Sequence, residues 1–221
     1  YKWVDLTHEL SPETPHWYGF KPLEGKLLFD YREGTPDDMM APMRCIQYSV
    51  ASQYGTHVDV PLHFWGDGRD MSKITVKELV YPLVVVDKSK ECAENAEFTM
   101  TVADLEKWES ENGRIPEGAF VAFRSDWHKK SNLDNPDENG NPHYPGWSVD
   151  AIKWLVEERN IGAIGHEPAD TDPSYVTTRE DAYPYPGEQY ILETDRIQIE
   201  VMRNLDQVPA VGAMIVCAFP K

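Results

Sequence analysis

The sequence predicts a single domain of mixed α/β or α+β class, with many short strands and few helices. Its 221 residues are enough to bury a full core, and no repeat or linker divides the chain. Several short apolar, β-branched runs predict strands, whereas only two segments carry clear helix start signals. A doubly wound sheet would instead alternate strands and helices regularly. We therefore treat residues 1–221 as one domain.

Five runs predict strands and two predict helices. Ile46, Tyr48 and Val50 alternate with polar residues, which is the pattern of a half-buried strand. The other four runs are short and apolar, and they cover residues 82–87, 119–123, 161–165 and 213–219. Thr101 and Ser148 can each accept a hydrogen bond at a helix N-terminus, so each predicts a helix that follows it.

Charge and cysteine content limit the class of function. The chain has 21 Lys and Arg against 38 Asp and Glu, a net charge of −17, which argues against nucleic acid or an anionic membrane as partner. No apolar run is long enough for a membrane span, and the first ten residues lack the features of a signal peptide. The three cysteines have no paired spacing. We therefore expect a cytoplasmic protein that binds metal cations or polar small molecules.

The strongest chemical motif is the segment QYGTHVDVPLHF at residues 53–64. His57 and Asp59 are two residues apart, so in an extended segment both side chains project to the same side. A neutral imidazole and a carboxylate that converge in this way suit Zn²⁺, Mn²⁺ or Fe²⁺. The pair taken alone is also compatible with a histidine that bonds its neighbouring aspartate for structural reasons.

The whole segment resembles the signature H-x-G-T-H-x-D-x-P-x-H-F of the cyclase-like metal-dependent hydrolases, a group that includes bacterial kynurenine formamidases and isatin hydrolases. Four further segments carry the resemblance: WVDLTHELSPETP, FRSDW, PGWSVDAIKWL and QIEVMRNLDQVPA. The resemblance implies a swivelling β/β/α fold with a mixed β-barrel-like core and flanking helices. It also implies assembly as a homodimer or homotetramer.

The resemblance assigns roles to three residues of the motif. His57 and Asp59 match positions that supply metal ligands in this group. His63 matches the final histidine of the signature, which acts near the reacting water. We expect His57 and Asp59 to bind a metal ion and His63 to be catalytic.

Two departures from the signature bear on the number of ions. Gln53 replaces the first histidine of the signature. The two-zinc formamidase pattern also has a histidine about a dozen residues before a glutamate that matches Glu200, and Glu188 stands at that place here. We therefore expect one divalent ion, with Mn²⁺ favoured over Zn²⁺ because oxygen donors replace nitrogen.

A distal ligand is predicted near the end of the chain. If that segment is extended, Gln198 and Glu200 face one way and Ile197, Ile199 and Val201 face the other. The QIE segment resembles the isatin-hydrolase-like branch, which implies that Gln198 binds the metal through its amide oxygen. Glu200 would then support the ligands or contact the substrate. An exposed strand face is the alternative interpretation.

Further candidates surround these ligands. His166 follows a predicted strand and is a second catalytic candidate, which could orient substrate or transfer a proton, while Glu167 would support the site or bind substrate. A turn capped by aspartates explains the same segment without chemistry. Trp17 and Trp65 could hold an aryl ring, although core packing is the simpler explanation. Gln53 is expected to support the site or contact the substrate.

Together with these residues, the resemblance implies a metal-dependent hydrolase that cleaves a C–N amide bond in a small aryl amide or lactam, with opening of an isatin-like ring as the expected reaction. N-formylkynurenine formamidase activity is the alternative reaction. A metal-stabilised binding protein for a small aromatic ligand is the non-enzymatic alternative, and His63 discriminates against it because binding needs no base. The chain has no G-x-S-x-G nucleophile motif and no glycine-rich phosphate loop.

Overall fold

The computed structural model describes residues 2–220, and a curled six-stranded sheet forms its centre. The strands are β1 Glu24–Phe29, β2 Cys45–Ser49, β3 His57–Asp59, β4 Val80–Asp87, β5 Thr99–Met100, β6 Phe120–Arg124, β7 Gly146–Trp147, β8 Ala163–His166, β9 Ile197–Glu200 and β10 Ala213–Val216. The α-helices are α1 Ser89–Glu94, α2 Val102–Asn112, α3 Val149–Arg159, α4 Ser174–Thr177 and α5 Pro186–Glu193.

The central sheet is mixed, as the sequence predicts. Its strand order is β10-β4-β6-β8-β9-β3. The four inner strands are parallel to one another, and an antiparallel strand closes each edge, β10 beside β4 and β3 beside β9. The strand predicted at 213–219 ends at Val216, and the one predicted at 161–165 begins two residues later, at Ala163. The expected β-barrel-like core of mixed strands is confirmed, as a curled sheet that forms half a barrel.

Both faces of the sheet are covered, and strand alternation decides which side chain goes to which face. In β4, Val84 and Val86 pack in one apolar cluster while Leu83 and Val85 pack in another. The first cluster also contains the buried faces of α2, α3 and α5. A strand buried on both faces reads as a continuous apolar run, which is why residues 82–87 are recognisable in the sequence.

The two predicted N-caps are confirmed. Thr101 accepts a hydrogen bond from the Asp104 N–H, and Ser148 accepts one from the Ala151 N–H. The helices that follow, α2 and α3, are 11 residues each. Within residues 2–220, no helix is long and apolar enough to cross a membrane.

The strand predicted around Ile46 belongs to a separate two-stranded sheet. β1 and β2 pair antiparallel and do not join the six-stranded sheet. Phe29, Met43 and Tyr48 on or beside this hairpin are exposed. An isolated two-stranded sheet is at best marginally stable in water, so this hairpin is the least supported part of the described chain.

Candidate metal centre

The pairing of β3 with β9 builds the candidate centre. In their antiparallel register His57 lies opposite Glu200, and Asp59 lies opposite Gln198. Residues two apart in a strand share a face, so all four polar side chains project to the same side. All four are buried. The predicted alternation of Gln198 and Glu200 is thus observed, but on a buried face rather than on an exposed one.

His57 is oriented so that one of its ring nitrogens is available to bind a metal ion. Its Nδ1 is 2.8 Å from the Gly55 carbonyl oxygen, to which Nδ1–H can donate. Its Nε2 is buried and has no hydrogen-bond partner within residues 2–220. That nitrogen lies 3.4 Å from Asp59 Oδ2 and 3.5 Å from Glu200 Oε2. A carbonyl that fixes the opposite nitrogen is the usual arrangement of a metal-binding histidine.

Gly55 has a φ of +66°, and a Cβ there would lie 2.6 Å from Thr14 Cγ2. Both the conformation and the close approach require glycine before the β3 strand.

His63 approaches the same aspartate from the other side. It ends a short 3₁₀ helix at Pro61–His63, and its side chain is about one-third exposed (34%). Its Nε2 lies 3.8 Å from Asp59 Oδ1 and 3.8 Å from Glu188 Oε1. Asp59 therefore faces a buried histidine with one oxygen and an accessible histidine with the other.

Glu188 reaches the centre from the first turn of α5. Asp172 accepts hydrogen bonds from the Gly187 and Glu188 N–H groups, at 2.9 to 3.1 Å, and so caps this helix. A Cβ at residue 187 would lie 2.8 Å from Asp172 Oδ1, so the cap also depends on glycine there. Asp172 therefore caps a helix distant in sequence, rather than a turn within its own segment.

The buried carboxylates of Asp59, Glu188 and Glu200 give the centre a negative charge that favours binding of a cation. Burial raises the pKa of Glu200 well above its ordinary value, and the nearby Glu188 and Asp59 carboxylates raise it further. Burial and the Asp59 carboxylate also raise the pKa of Glu188. Ligand atoms of His57, Asp59 and Glu200 all lie within 4.8 Å of one another. One imidazole nitrogen and several carboxylate oxygens, buried and mutually repelling, are a donor set that fits a divalent metal ion.

Gln198 lies in the middle of the centre with its amide nitrogen toward the carboxylates. Nε2 donates to Asp59, Glu188 and Glu200 at 3.1 to 3.2 Å, and Oε1 accepts from Thr171 Oγ1 at 2.7 Å. Binding a metal through Oε1 requires the amide to turn over. The Thr171 hydroxyl can accept as well as donate, so it can serve both orientations.

His166 and Glu167 lie behind the centre rather than in it. His166 ends β8, fully buried, with Nε2 3.2 Å from Glu200 Oε1. Burial lowers the pKa of His166 to about 3, so its ring is neutral. Glu167 Oε2 accepts from the Ser125 and Trp127 N–H groups at 3.0 Å, and Oε1 lies 2.7 Å from His128 Nδ1. Neither residue lines the cavity described below.

Val201 departs from the alternation expected of its strand. It follows β9 with a φ of +53°, a conformation that a β-branched residue rarely adopts. Its N–H donates to the Pro168 carbonyl, and its own carbonyl accepts from Thr56 Oγ1 at 2.6 Å. The turn ends the strand directly after Glu200 and places Val201 with Trp127 rather than with the isoleucines of β9.

A cavity of about 220 Å³ opens onto the centre. Four aromatic residues line it: Trp17, Phe20, Phe64 and Tyr185. Six polar residues line it as well: Gln53, His57, His63, Asp170, Glu188 and Glu200. Drug-sized ligands occupy pockets of roughly 300–1,000 Å³, so this one suits a small ring system.

Five of the ten site residues predicted from sequence line the cavity, including His57, His63 and Glu200. Trp17 lines it, and Gln53 both lines it and lies 3.4 Å from Asp59 Oδ1 through its Nε2. Trp65 is not part of the lining. Asp170 and Tyr185 were not predicted, because each lies in an irregular segment with no motif spacing of its own.

Comparisons with known proteins cover nearly the whole chain. The Cyclase family, described as "Putative cyclase", matches residues 4–173. The isatin hydrolase of Roseibium aggregatum is 31% identical, over 97% of this chain and 84% of that protein. A kynurenine formamidase of Bacillus cereus is 23% identical, over 78% of this chain and 71% of that protein.

Solved structures agree with these relatives. The structure of isatin hydrolase A from Labrenzia aggregata, bound to benzyl benzoate, superimposes with a TM-score of 0.86. It is 33% identical, and the match covers 97% of this chain and 86% of that one. The similarity therefore extends over the whole central sheet, including β3 and β9, which carry the candidate centre.

Proposed function

This chain belongs to the cyclase family and is a hydrolase of C–N bonds in amides other than peptides, and on that premise we propose that its substrate is an isatin-like aryl lactam. The observation that carries the proposal is the grouping of His57, Asp59 and Glu200 at a cavity lined by aromatic rings. Water adds to the lactam carbonyl, the C–N bond breaks, and the product carries a carboxylate and an aryl amine.

One divalent cation, Mn²⁺ in preference to Zn²⁺, is part of this proposal. His57, Asp59 and Glu200 are the residues that would hold it, and Gln198 remains the ligand predicted from the sequence resemblance. A set with one nitrogen and several oxygens favours manganese over zinc. When bound, such an ion would act as a Lewis acid that polarises the substrate carbonyl and lowers the pKa of a bound water molecule.

His63 is the proposed general base. It is the accessible histidine of the cavity, and it can take a proton from the attacking water and return it to the departing nitrogen. Asp59 and Glu188, each 3.8 Å from its Nε2, stabilise the positive charge that the ring then carries. His166 lies outside the cavity and is neutral, so its proposed role is to orient Glu200.

The aromatic side chains are proposed to hold the substrate ring. Phe64 contacts Tyr185 edge to face, with 5.6 Å between ring centroids, and Trp17 contacts Phe20 in the same way at 5.1 Å. Such walls favour a flat aryl group, and the small volume limits it to one or two fused rings.

N-formylkynurenine is the alternative substrate, and the similarity to a kynurenine formamidase supports it. Gln53 and Glu188 argue for the lactam, because they stand where the two-zinc formamidase pattern has histidines. The test compares kcat/KM for isatin and N-formylkynurenine on Mn²⁺-loaded enzyme, with metal-free enzyme as control. We expect isatin to be the better substrate, and a tenfold preference for N-formylkynurenine would replace this proposal. The binding-protein alternative is set aside because the relatives are hydrolases.

We also propose a homodimer or homotetramer in the cytoplasm. The exposed apolar side chains of the β1–β2 hairpin, which packs as a separate two-stranded sheet, support self-association. The cysteines Cys45, Cys92 and Cys217 are all free thiols, which supports a reducing compartment. Light scattering on the eluting protein measures the subunit number, and a monomer would contradict the first part of this proposal.

A further inference from the structure

We propose that Asp170 accepts a hydrogen bond from the N–H of the scissile lactam and so selects lactams over lactones of the same shape. This inference rests on the proposed function, and it identifies the group that recognises the nitrogen of the bond to be cleaved. Asp170 belongs neither to the group of His57, Asp59 and Glu200 nor to a second possible metal-binding group, Asp59, His63 and Glu188, although it lines the same cavity.

One oxygen of Asp170 is fixed from behind the cavity wall. Tyr144 is buried, and its hydroxyl donates to Asp170 Oδ2 at 2.8 Å. The same hydroxyl lies 2.6 Å from Thr177 Oγ1. Thr177 can therefore donate to Tyr144 while Tyr144 donates to Asp170, which holds the carboxylate in one orientation.

The other oxygen of Asp170 is available. Asp170 is half-buried, and Oδ1 has no hydrogen-bond partner within residues 2–220. The other cavity carboxylates, Glu188 and Glu200, each accept from the Gln198 amide. Asp170 is thus the cavity carboxylate that makes no hydrogen bond to the candidate metal centre, since its one hydrogen-bond partner within residues 2–220 is Tyr144.

The chemistry of the substrate matches this acceptor. A lactam carries a donor N–H on the atom that leaves, whereas the corresponding lactone carries an oxygen that can only accept. Burial raises the pKa of Asp170 to about 6, and in its ionised form this carboxylate accepts strongly from an N–H donor. A site built to accept from a substrate N–H rejects an analogue that lacks it, because the carboxylate is then left unpaired.

The experiment measures kcat/KM for isatin and for benzofuran-2,3-dione, its oxygen analogue of nearly identical shape. The variants are Asp170→Asn and, as matched control, Asp150→Asn, which changes an exposed carboxylate at the start of α3. We expect Asp170→Asn to lower kcat/KM for isatin about 10- to 100-fold. Turnover of the lactone should stay within about threefold of the wild type, which also shows that the variant is folded.

Two results overturn the inference in distinguishable ways. If Asp170→Asn lowers kcat/KM equally for both substrates, or for neither, Asp170 does not recognise the lactam N–H. The proposed lactam hydrolysis then still stands. If the wild-type, metal-loaded enzyme opens neither ring, the proposed function fails and this inference fails with it. Asp150→Asn is expected to leave both rates unchanged.

Discussion

Two groups of one histidine and two carboxylates that share no residue differ in how their charge is compensated. The first is His57, Asp59 and Glu200, and the second is His128 with Asp126 and Glu167. A third such group within residues 2–220, Asp59, His63 and Glu188, shares Asp59 with the first of them. In the first group, His57 Nε2 has no hydrogen-bond partner within the described residues. Burial and the nearby carboxylates raise the pKa of Glu200 in the same group.

The second group is already neutralised by protein groups. Asp126 pairs with Arg124 and with Lys129, each at 2.8 Å. Glu167 accepts from two backbone N–H groups at 3.0 Å and lies 2.7 Å from His128. Proximity of possible ligand atoms is therefore not enough by itself to identify a metal site. A cation is needed only where the protein leaves negative charge unpaired.

The largest expected effect is the loss of metal and activity on removing His57. His57→Ala should lose the bound divalent ion and all measurable turnover, because it deletes the one nitrogen ligand of the first group. His128→Ala is the matched control and should keep its metal. Elemental analysis of purified protein, paired with steady-state rates, checks both. Full metal content in His57→Ala would contradict the assignment, and two ions per chain would revive a dinuclear centre that uses Glu188.

Changing His63 should separate chemistry from metal binding. His63→Asn should leave metal content intact and lower kcat by about 10²- to 10⁴-fold, the usual contribution of a general base. The same metal analysis and rate measurement apply. A variant with a near-normal rate would show that His63 is structural, and one without metal would show that it is a ligand.

Neutralising one glutamate in each group should change stability in opposite directions. Glu167→Gln should lower the free energy of unfolding by about 2–3 kcal/mol, because it breaks a buried, fully paired carboxylate. Glu200→Gln, measured on metal-free protein at a pH above the raised pKa of Glu200, should raise it by about 1 kcal/mol, because it removes a buried and uncompensated charge. Urea denaturation measures both. Equal losses in the two variants would mean that the two groups do not differ.

The smallest effect is a difference in pH dependence. In metal-free protein the folded-state pKa of Glu200 lies above its unfolded value of 4.5, so between neutral pH and about 4.5 the folded state binds more protons. The free energy of unfolding should therefore rise as pH falls through that window. Glu200→Gln should make this slope shallower without abolishing it, because the pKa values of Glu188, Asp170 and Asp172 are raised as well. An unchanged slope in Glu200→Gln would remove the electrostatic argument for the centre.

Much of the fold is predictable from local signals. The β4 strand is an unbroken apolar run, and α2 and α3 begin at residues that can cap them. The helix α5 is missed because Pro186 and Gly187 precede its apolar residues and suggest a loop. The left-handed turn at Val201 is missed because no side-chain pattern predicts it in a β-branched residue.

The candidate site is predictable where a motif or a resemblance covers its residues, which includes the distant Gln198 and Glu200. His57, Asp59 and His63 fall within one motif, so their spacing and resemblance place them. The placement of Glu188 and Asp170 depends on how α5 and the loop after β8 pack against the sheet, which spacing does not encode. The direction of the Gln198 amide also depends on three carboxylates contributed by three different segments.

The register of β3 with β9 also bears on how the protein folds. Gln198 and Asp59 contact each other although 139 residues separate them in the chain. Closing so long a loop is entropically costly, and contacts of this kind form late in folding. A chain that lacks β9 has no Gln198 or Glu200 to complete the centre, so affinity for the metal appears only with the finished sheet. An ion held there would connect residues 57–59 to residues 198–200, so metal release and unfolding should be thermodynamically linked.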